Sequence, residues 1–301
     1  MDQALWNPAA EATAWTELRE LQPAKRKAQG SPPKPSSRSG QRNSRDANPA
    51  TIVQTIGFIS PPSWFDPSPA EFPTVCAEAV RVQQCPLSLP ELDWRIDSIA
   101  RTEPELIAAA RTLGEMGCSL VANVGTPFAW AGLGSVTEAR ARQERLARAA
   151  GTPVVMSGIA IIDAFAALGV RRIGLACTYY SDDWRDRWAR LVAASGLDVV
   201  SAQNLAEQGL MPPHDDADRA YWAPTAEQIC ESVRRLAETA PETEAIAISG
   251  AGSRTLALIS TLEAEIERPV FGSDTALYWA AAKAAGVALK PGILGRLTDV
   301  C

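Results

Sequence analysis

From Thr51 onward the chain alternates short apolar runs with longer stretches in which apolar residues recur at helical spacing. Ile52–Ser60 is apolar and β-branched and stops at Ser60-Pro61-Pro62, the pattern of a buried strand that ends in a stiffened loop. Ala79–Val82 predicts a second strand, and Glu103–Met116 a helix that ends near Gly117. Glu138–Ala150 reads as a charged, alanine-rich helix closed by Gly151, and Ile159–Leu168 as a buried apolar one. Arg171–Tyr180 predicts a strand whose polar end is Thr178–Tyr180, and Ser181-Asp-Asp-Trp184 then supplies N-cap chemistry for a helix. Leu197–Val200 is a further short strand and Pro224–Thr239 an amphipathic helix. Strands alternating with helices of these lengths predict parallel sheets with right-handed crossovers.

Two of the apolar runs end in glycine-bearing turns: Ser119-Leu-Val-Ala-Asn-Val-Gly125-Thr126-Pro127 and Glu244-Ala-Ile-Ala-Ile-Ser249-Gly250-Ala251-Gly252. A matching unit follows each. The first is Thr152-Pro-Val-Val-Met-Ser157 with an apolar helix closing at Leu168-Gly-Val170; the second is Arg268-Pro-Val-Phe-Gly-Ser273 with one closing at Ala285-Gly-Val287. The same order therefore occurs twice. Two related α/β lobes are expected, residues 51–168 with 273–301 and residues 169–272, facing one another. A small-residue turn after a buried strand lets backbone N–H groups face a ligand. In open α/β sheets ligands sit beyond the carboxyl ends of the strands. Ser60-Pro61, Gly125-Thr126, Thr178-Tyr179 and Ser249–Gly252 fall at such ends, which places a small-molecule site in the cleft between the glycine turns.

Composition narrows the chemistry. No apolar run approaches the ~20 residues that cross a bilayer, and Met1–Arg19 lacks the continuous apolar core of a signal peptide. The cysteines at 76, 85, 118, 177, 230 and 301 form no CxxC pair and no metal-ligand spacing, which fits reduced thiols in a cytoplasmic protein. A net charge of −6 argues against nucleic-acid binding by the folded part. His214 is the only histidine, so a histidine-based triad is excluded and a zinc site disfavoured; its Pro-Pro and Asp-Asp flanks read as loop. Residues 1–50 turn to Pro, Ser, Gly and Lys/Arg after Pro23, a composition that predicts a disordered basic extension, with an anionic partner or no role at all as the two readings.

The set Ile56-Gly-Phe-Ile-Ser-Pro-Pro62, Gly125-Thr126, Leu168-Gly-Val-Arg-Arg172, Tyr179 and Gly295-Arg-Leu297 resembles the aspartate/glutamate racemase superfamily, and within it the arylmalonate decarboxylase and maleate isomerase branch. The resemblance is collinear over most of the chain beyond residue 50. It implies two pseudo-symmetric flavodoxin-like lobes, no cofactor, and acid–base chemistry at a carbon next to a carboxylate. The resemblance further implies a cysteine at the end of each glycine-turn strand in racemases and isomerases, and at the second only in the decarboxylases. Here those positions are Gly125 and Gly250. The thiol pair that supports two-base racemisation or attack on maleate is missing.

What the resemblance carries over is a carboxylate-binding apparatus. Thr126 and Tyr179, with the backbone of Gly125, Ala251 and Gly252, match the groups that hold an enediolate as CO2 leaves, and preorganised donors of this kind are a large catalytic contribution. Pro61, Phe128 and Trp130 are candidates for the apolar side against the leaving carboxylate, and Gly250 lies among the binding positions. Pro127 stands where the decarboxylase has a serine. For the proton, Cys177 is a candidate that is otherwise a buried core thiol. Tyr179, Tyr180 and water are others. Ser249 and Ser253 read more readily as turn residues, and Asp274 as a helix N-cap. The function expected is a cofactor-independent lyase acting on a small carboxylic acid, nearest to decarboxylation of a substituted malonate. The alternatives are a non-catalytic carboxylate binder, and an isomerase or racemase using other acid–base groups.

Overall fold

A computed structural model of the chain describes residues 53–62, 66–216 and 218–300; the expected extension at 1–50 lies outside them. The first sheet is built from β1 (Thr55–Ser60), β2 (Arg81–Pro86), β3 (Leu120–Asn123) and β4 (Val154–Met156), ordered β2-β1-β3-β4. The second is built from β5 (Arg172–Ala176), β6 (Asp198–Gln203), β7 (Ala245–Ile248) and β8 (Val270–Gly272), ordered β6-β5-β7-β8. Every pairing is parallel. The two α/β sheets thus share one strand order, as the repeated sequence unit predicts.

In chain order the helices are α1 (Ser68–Val75), α2 (Ile96–Ile99), α3 (Glu103–Glu115), α4 (Thr126–Trp130), α5 (Val136–Ala150), α6 (Ser157–Ala167), α7 (Asp182–Ala193), α8 (Ala226–Thr239), α9 (Ile259–Ile266) and α10 (Ser273–Ala285). Their ends follow local chemistry. Ser135 caps α5 by accepting from Glu138 N, and Gly151 closes it in the left-handed conformation that costs glycine least. Ser181 caps α7 through Trp184 N, and Thr225 with Gln228 forms a reciprocal capping box on α8.

β1, β3, β5 and β7 are central strands, buried along nearly their whole length. This is why they read as continuous apolar runs rather than alternating ones. β2 is an edge strand whose Gln83 and Gln84 are exposed, so the apolar pattern marks only its beginning although it pairs with β1 from Arg81 to Pro86. The expected strand Arg171–Tyr180 ends at Ala176; Cys177–Tyr180 is a turn in which Tyr180 N donates to Cys177 O at 2.9 Å.

The mostly apolar helices α6 and α10 pack against each other, and α10 also lies on β3, β4 and β8. Phe165 and Phe271 meet edge to face at 4.8 Å, and Ser157 Oγ donates to Ser273 O at 3.1 Å. The segment after α10 returns to α1, where Ala77 N donates to Ala288 O and Lys290 N to Val75 O. This shared apolar layer fixes the two sheets together and leaves their carboxyl ends to converge.

Candidate active site

A strand order of the form 2-1-3 reverses direction between its first and third strands, and the crevice opens at that switch point. In the first sheet the switch lies between β1 and β3, in the second between β5 and β7. Residues just beyond these four strands meet in one cavity: Pro61 after β1, Gly125, Pro127 and Phe128 after β3, Tyr179 after β5, and Ala251 and Gly252 after β7. Trp94, Ile99, Trp184 and Trp222 complete the wall. The cavity is narrow, with about 30 Å³ open to water between its walls. Trp94 and Trp222 pack edge to face across it with ring centres 4.3 Å apart.

Tyr179 is held at both its hydroxyl and its ring. Its hydroxyl accepts from Gly252 N at 3.3 Å, and its ring lies over Gly250. Burial pushes its phenol up to about 12, against the N–H groups of Gly252 and Ala251, which favour the phenolate. Those two backbone donors, expected to face a substrate oxyanion, are thus turned on the Tyr179 oxygen. The backbone leading into Tyr179 bends sharply: Thr178 has φ of 37°, and its hydroxyl donates to Ser249 O at 2.6 Å.

The first glycine turn is built differently. Gly125 has φ of 94°, a conformation that leaves little place for a side chain, and a Cβ there would meet Phe128 Cδ2 at 2.8 Å and Pro61 Cγ at 3.3 Å. Phe128 is held from behind by the buried Arg142 of α5. That guanidinium donates to Phe128 O at 3.1 Å and Ala131 O at 3.2 Å and pairs with Glu103. Each glycine turn therefore carries an aromatic ring where a side chain on its glycine would otherwise project.

Of the positions singled out in the sequence, Pro61, Gly125, Phe128, Tyr179, Ala251 and Gly252 come together at the cavity. Others do not. Thr126 is fully buried, its hydroxyl 3.4 Å from Ser157 Oγ, and it is not among the residues of the cavity wall. Gly250 lies beneath the Tyr179 ring. Cys177 is sealed in the core, where desolvation pushes its thiol far up and away from proton donation. Trp130 stacks on Trp188 at 5.8 Å, and Trp188 Nε1 donates to Ser249 Oγ. Asp274 sits inside α10 rather than at its cap and accepts from Thr255 N and Oγ1. His214 Nε2 lies 2.7 Å from Tyr179 O, tying its loop to the site backbone.

The sequence pattern missed Trp94, Ile99, Trp184 and Trp222. Trp184 alone had a usable signal, an aromatic in the first turn of the helix that follows a site strand. Among the described residues no three His, Cys, Asp or Glu side chains cluster as metal ligands do, and no helix is long and apolar enough to cross a membrane.

Comparison with known proteins agrees with this architecture. The family model described as arylmalonate decarboxylase matches residues 56–298. An arylmalonate decarboxylase of Bordetella bronchiseptica is 32% identical over 192 residues, covering 63% of this chain and 75% of that protein. A crystal structure of arylmalonate decarboxylase superposes with a TM-score of 0.67 at 26% identity, over 82% of this chain and 100% of the other. The maleate isomerase of Pseudomonas putida S16 has the same fold, with a TM-score of 0.68 at 19% identity over 81% of this chain and 99% of its own. With the fold, the convergent strand ends and the match along nearly all of both lobes in agreement, the chain belongs to the arylmalonate decarboxylase family.

Proposed function

We propose that this protein is a cofactor-independent lyase that decarboxylates a substituted malonate-type acid and uses Tyr179 as its proton donor. The observation that carries the reading is the seat of the Tyr179 ring above Gly250, where the family resemblance expects a cysteine. Loss of CO2 leaves the electron pair of the broken C–C bond on the α-carbon, delocalised into the retained carboxylate as an enediolate. The departing carboxylate leaves against the carbon of Pro61 and Phe128, which offer it no solvation. The α-carbon then takes the Tyr179 proton, and the phenolate that remains is met by the N–H groups of Gly252 and Ala251. An enediolate is a far stronger base than a phenolate, so a phenol held up to about 12 still gives up its proton in this step.

The test is proton NMR with arylmalonates in D2O, comparing wild type with Tyr179→Phe. CO2 release with deuterium at the α-carbon, reduced about 10²–10⁴-fold in the variant, is the expected result. Equal turnover by Tyr179→Phe would remove Tyr179 from the reaction. The empty thiol positions Gly125 and Gly250 favour a second reading, a carboxylate binder without turnover. Saturable binding of the same acids with no chemical change would establish it.

A further inference from the structure

We propose that Thr178 is a positioning residue that aims the Tyr179 phenol. The inference deepens the reading above and rests on it for its catalytic consequence, though not for its geometry. Thr178 is a fully buried, β-branched residue with φ of 37°. Such residues avoid positive φ because the branched Cβ crowds the backbone. A turn with this conformation ordinarily takes glycine or asparagine. Strain of this kind persists only where surrounding contacts over-determine it, and it gathers at functional sites.

Here the contacts are specific. Thr178 Oγ1 donates to Ser249 O at 2.6 Å and accepts from Ser253 Oγ at 2.9 Å, so one hydroxyl ties the β5 end to both sides of the second glycine turn. Its own carbonyl accepts from Leu205 N at 2.8 Å, and the turn closes through Tyr180 N to Cys177 O. Between those anchors residue 179 is held on both sides, with His214 Nε2 also 2.7 Å from its carbonyl. The ring is delivered over Gly250, and the hydroxyl reaches Gly252 N. Glycine at 178 would accept the turn without strain but would lose both ties. Threonine keeps the ties and carries the strain.

The test separates geometry from turnover. Full-length protein is labelled with 3-fluorotyrosine, and the fluorine resonance of residue 179 is assigned with Tyr179→Phe. Thr178→Val keeps the shape and removes both hydrogen bonds; Thr178→Ser keeps the hydroxyl. Thr178→Val is expected to move or broaden the residue 179 resonance and, with arylmalonate as substrate, to lower kcat by about 10²-fold with KM little changed. Thr178→Ser is expected to restore both. If Thr178→Val does not fold, Ser253→Ala removes one tie alone and is expected to move the resonance in the same direction.

An unmoved resonance in the variants overturns the proposal whether or not the protein turns over. A moved resonance with unchanged kcat overturns its catalytic half. Failure of wild type to decarboxylate would count against the lyase reading instead, and the resonance would still decide the positioning.

Discussion

The ring of Tyr179 occupies the volume that any side chain on Gly250 would need: a Cβ built there would meet Tyr179 Cε1 at 2.6 Å and Cζ at 3.0 Å. Gly250 also has φ of 113°, which L side chains rarely adopt. The glycine is therefore coupled to the tyrosine rather than being a simple loss. Gly250→Cys is expected to displace the ring and to strain the backbone by about 1–3 kcal/mol. For a domain of this size that lowers Tm by about 2–4 °C per kcal/mol, readable by scanning calorimetry. Turnover in this variant is expected to fall. A gain of activity at unchanged Tm would show that the two side chains fit together.

Tyr179 also predicts a pH signature. Its phenol is raised from 10.0 to about 12, and burial is the cause. The unfolded phenol ionises first as pH rises, so this contribution to stability is complete below pH 10 and is lost as pH climbs through about 12. At pH 11 wild type is expected to have lost about 1.4 kcal/mol that Tyr179→Phe retains, measured from urea midpoints at pH 8 and pH 11. On the proposed role of Tyr179 as proton donor, the same shift keeps the phenol protonated in mild alkali. The kcat profile is expected to stay level past pH 9, where a thiol donor with the ordinary value of about 8.5 would be losing its proton.

Much of this arrangement was legible in the sequence because burial imposes simple patterns. β3 and β7 are buried on both faces, so Leu120–Asn123 and Ala245–Ile248 stand out as apolar runs, and the turns after them mark the site. The repeated order of units carried over directly into two sheets of one strand order. Trp94 and Trp222 were not legible, since each reaches the cavity from a loop with no periodicity, and only the convergence of distant segments brings their rings within 4.3 Å. Thr126 was carried over from the family resemblance, and the first turn of a helix projects side chains in several directions. This one faces Ser157 in the core.

The positions of the cysteines predict insensitivity to thiol reagents. None of the cavity-lining residues is a cysteine, and Cys177 is wholly buried. Cys85 and Cys230 are only partly covered and are the described thiols that iodoacetamide should reach first in the native protein. Their modification, followed by mass spectrometry, is expected to leave ligand binding and turnover intact. Inactivation that tracks labelling of Cys177 would instead place a thiol in the chemistry and remove Tyr179 as the donor.

Arg142 predicts how the first glycine turn fails. Its side chain is 4% exposed, it forks onto Phe128 O and Ala131 O, and its Nε lies 3.2 Å from Glu103. Arg145 Nε approaches the other Glu103 oxygen at 2.5 Å, so the carboxylate keeps one partner if Arg142 is lost. Among the described residues the two carbonyls have no second donor. Arg142→Met is therefore expected to cost about 2–4 kcal/mol, mostly from acceptors stranded in the core. Arg142→Lys is expected to recover only part of that, since an ammonium cannot reproduce the planar fork. Both losses should be insensitive to salt, because buried pairs are poorly screened. The exposed pair Arg140–Asp163, at 44% and 37% side-chain exposure, is the control: Arg140→Met should cost at most about 1 kcal/mol and less in high salt. Phe128 rests on the Arg142 bonds and packs where a Gly125 side chain would project, so on the proposed function Arg142→Met should also weaken binding of arylmalonates. Urea midpoints at two salt concentrations, with a binding isotherm for each variant, check these expectations; equal costs at Arg142 and Arg140 would show that the buried fork holds nothing in place.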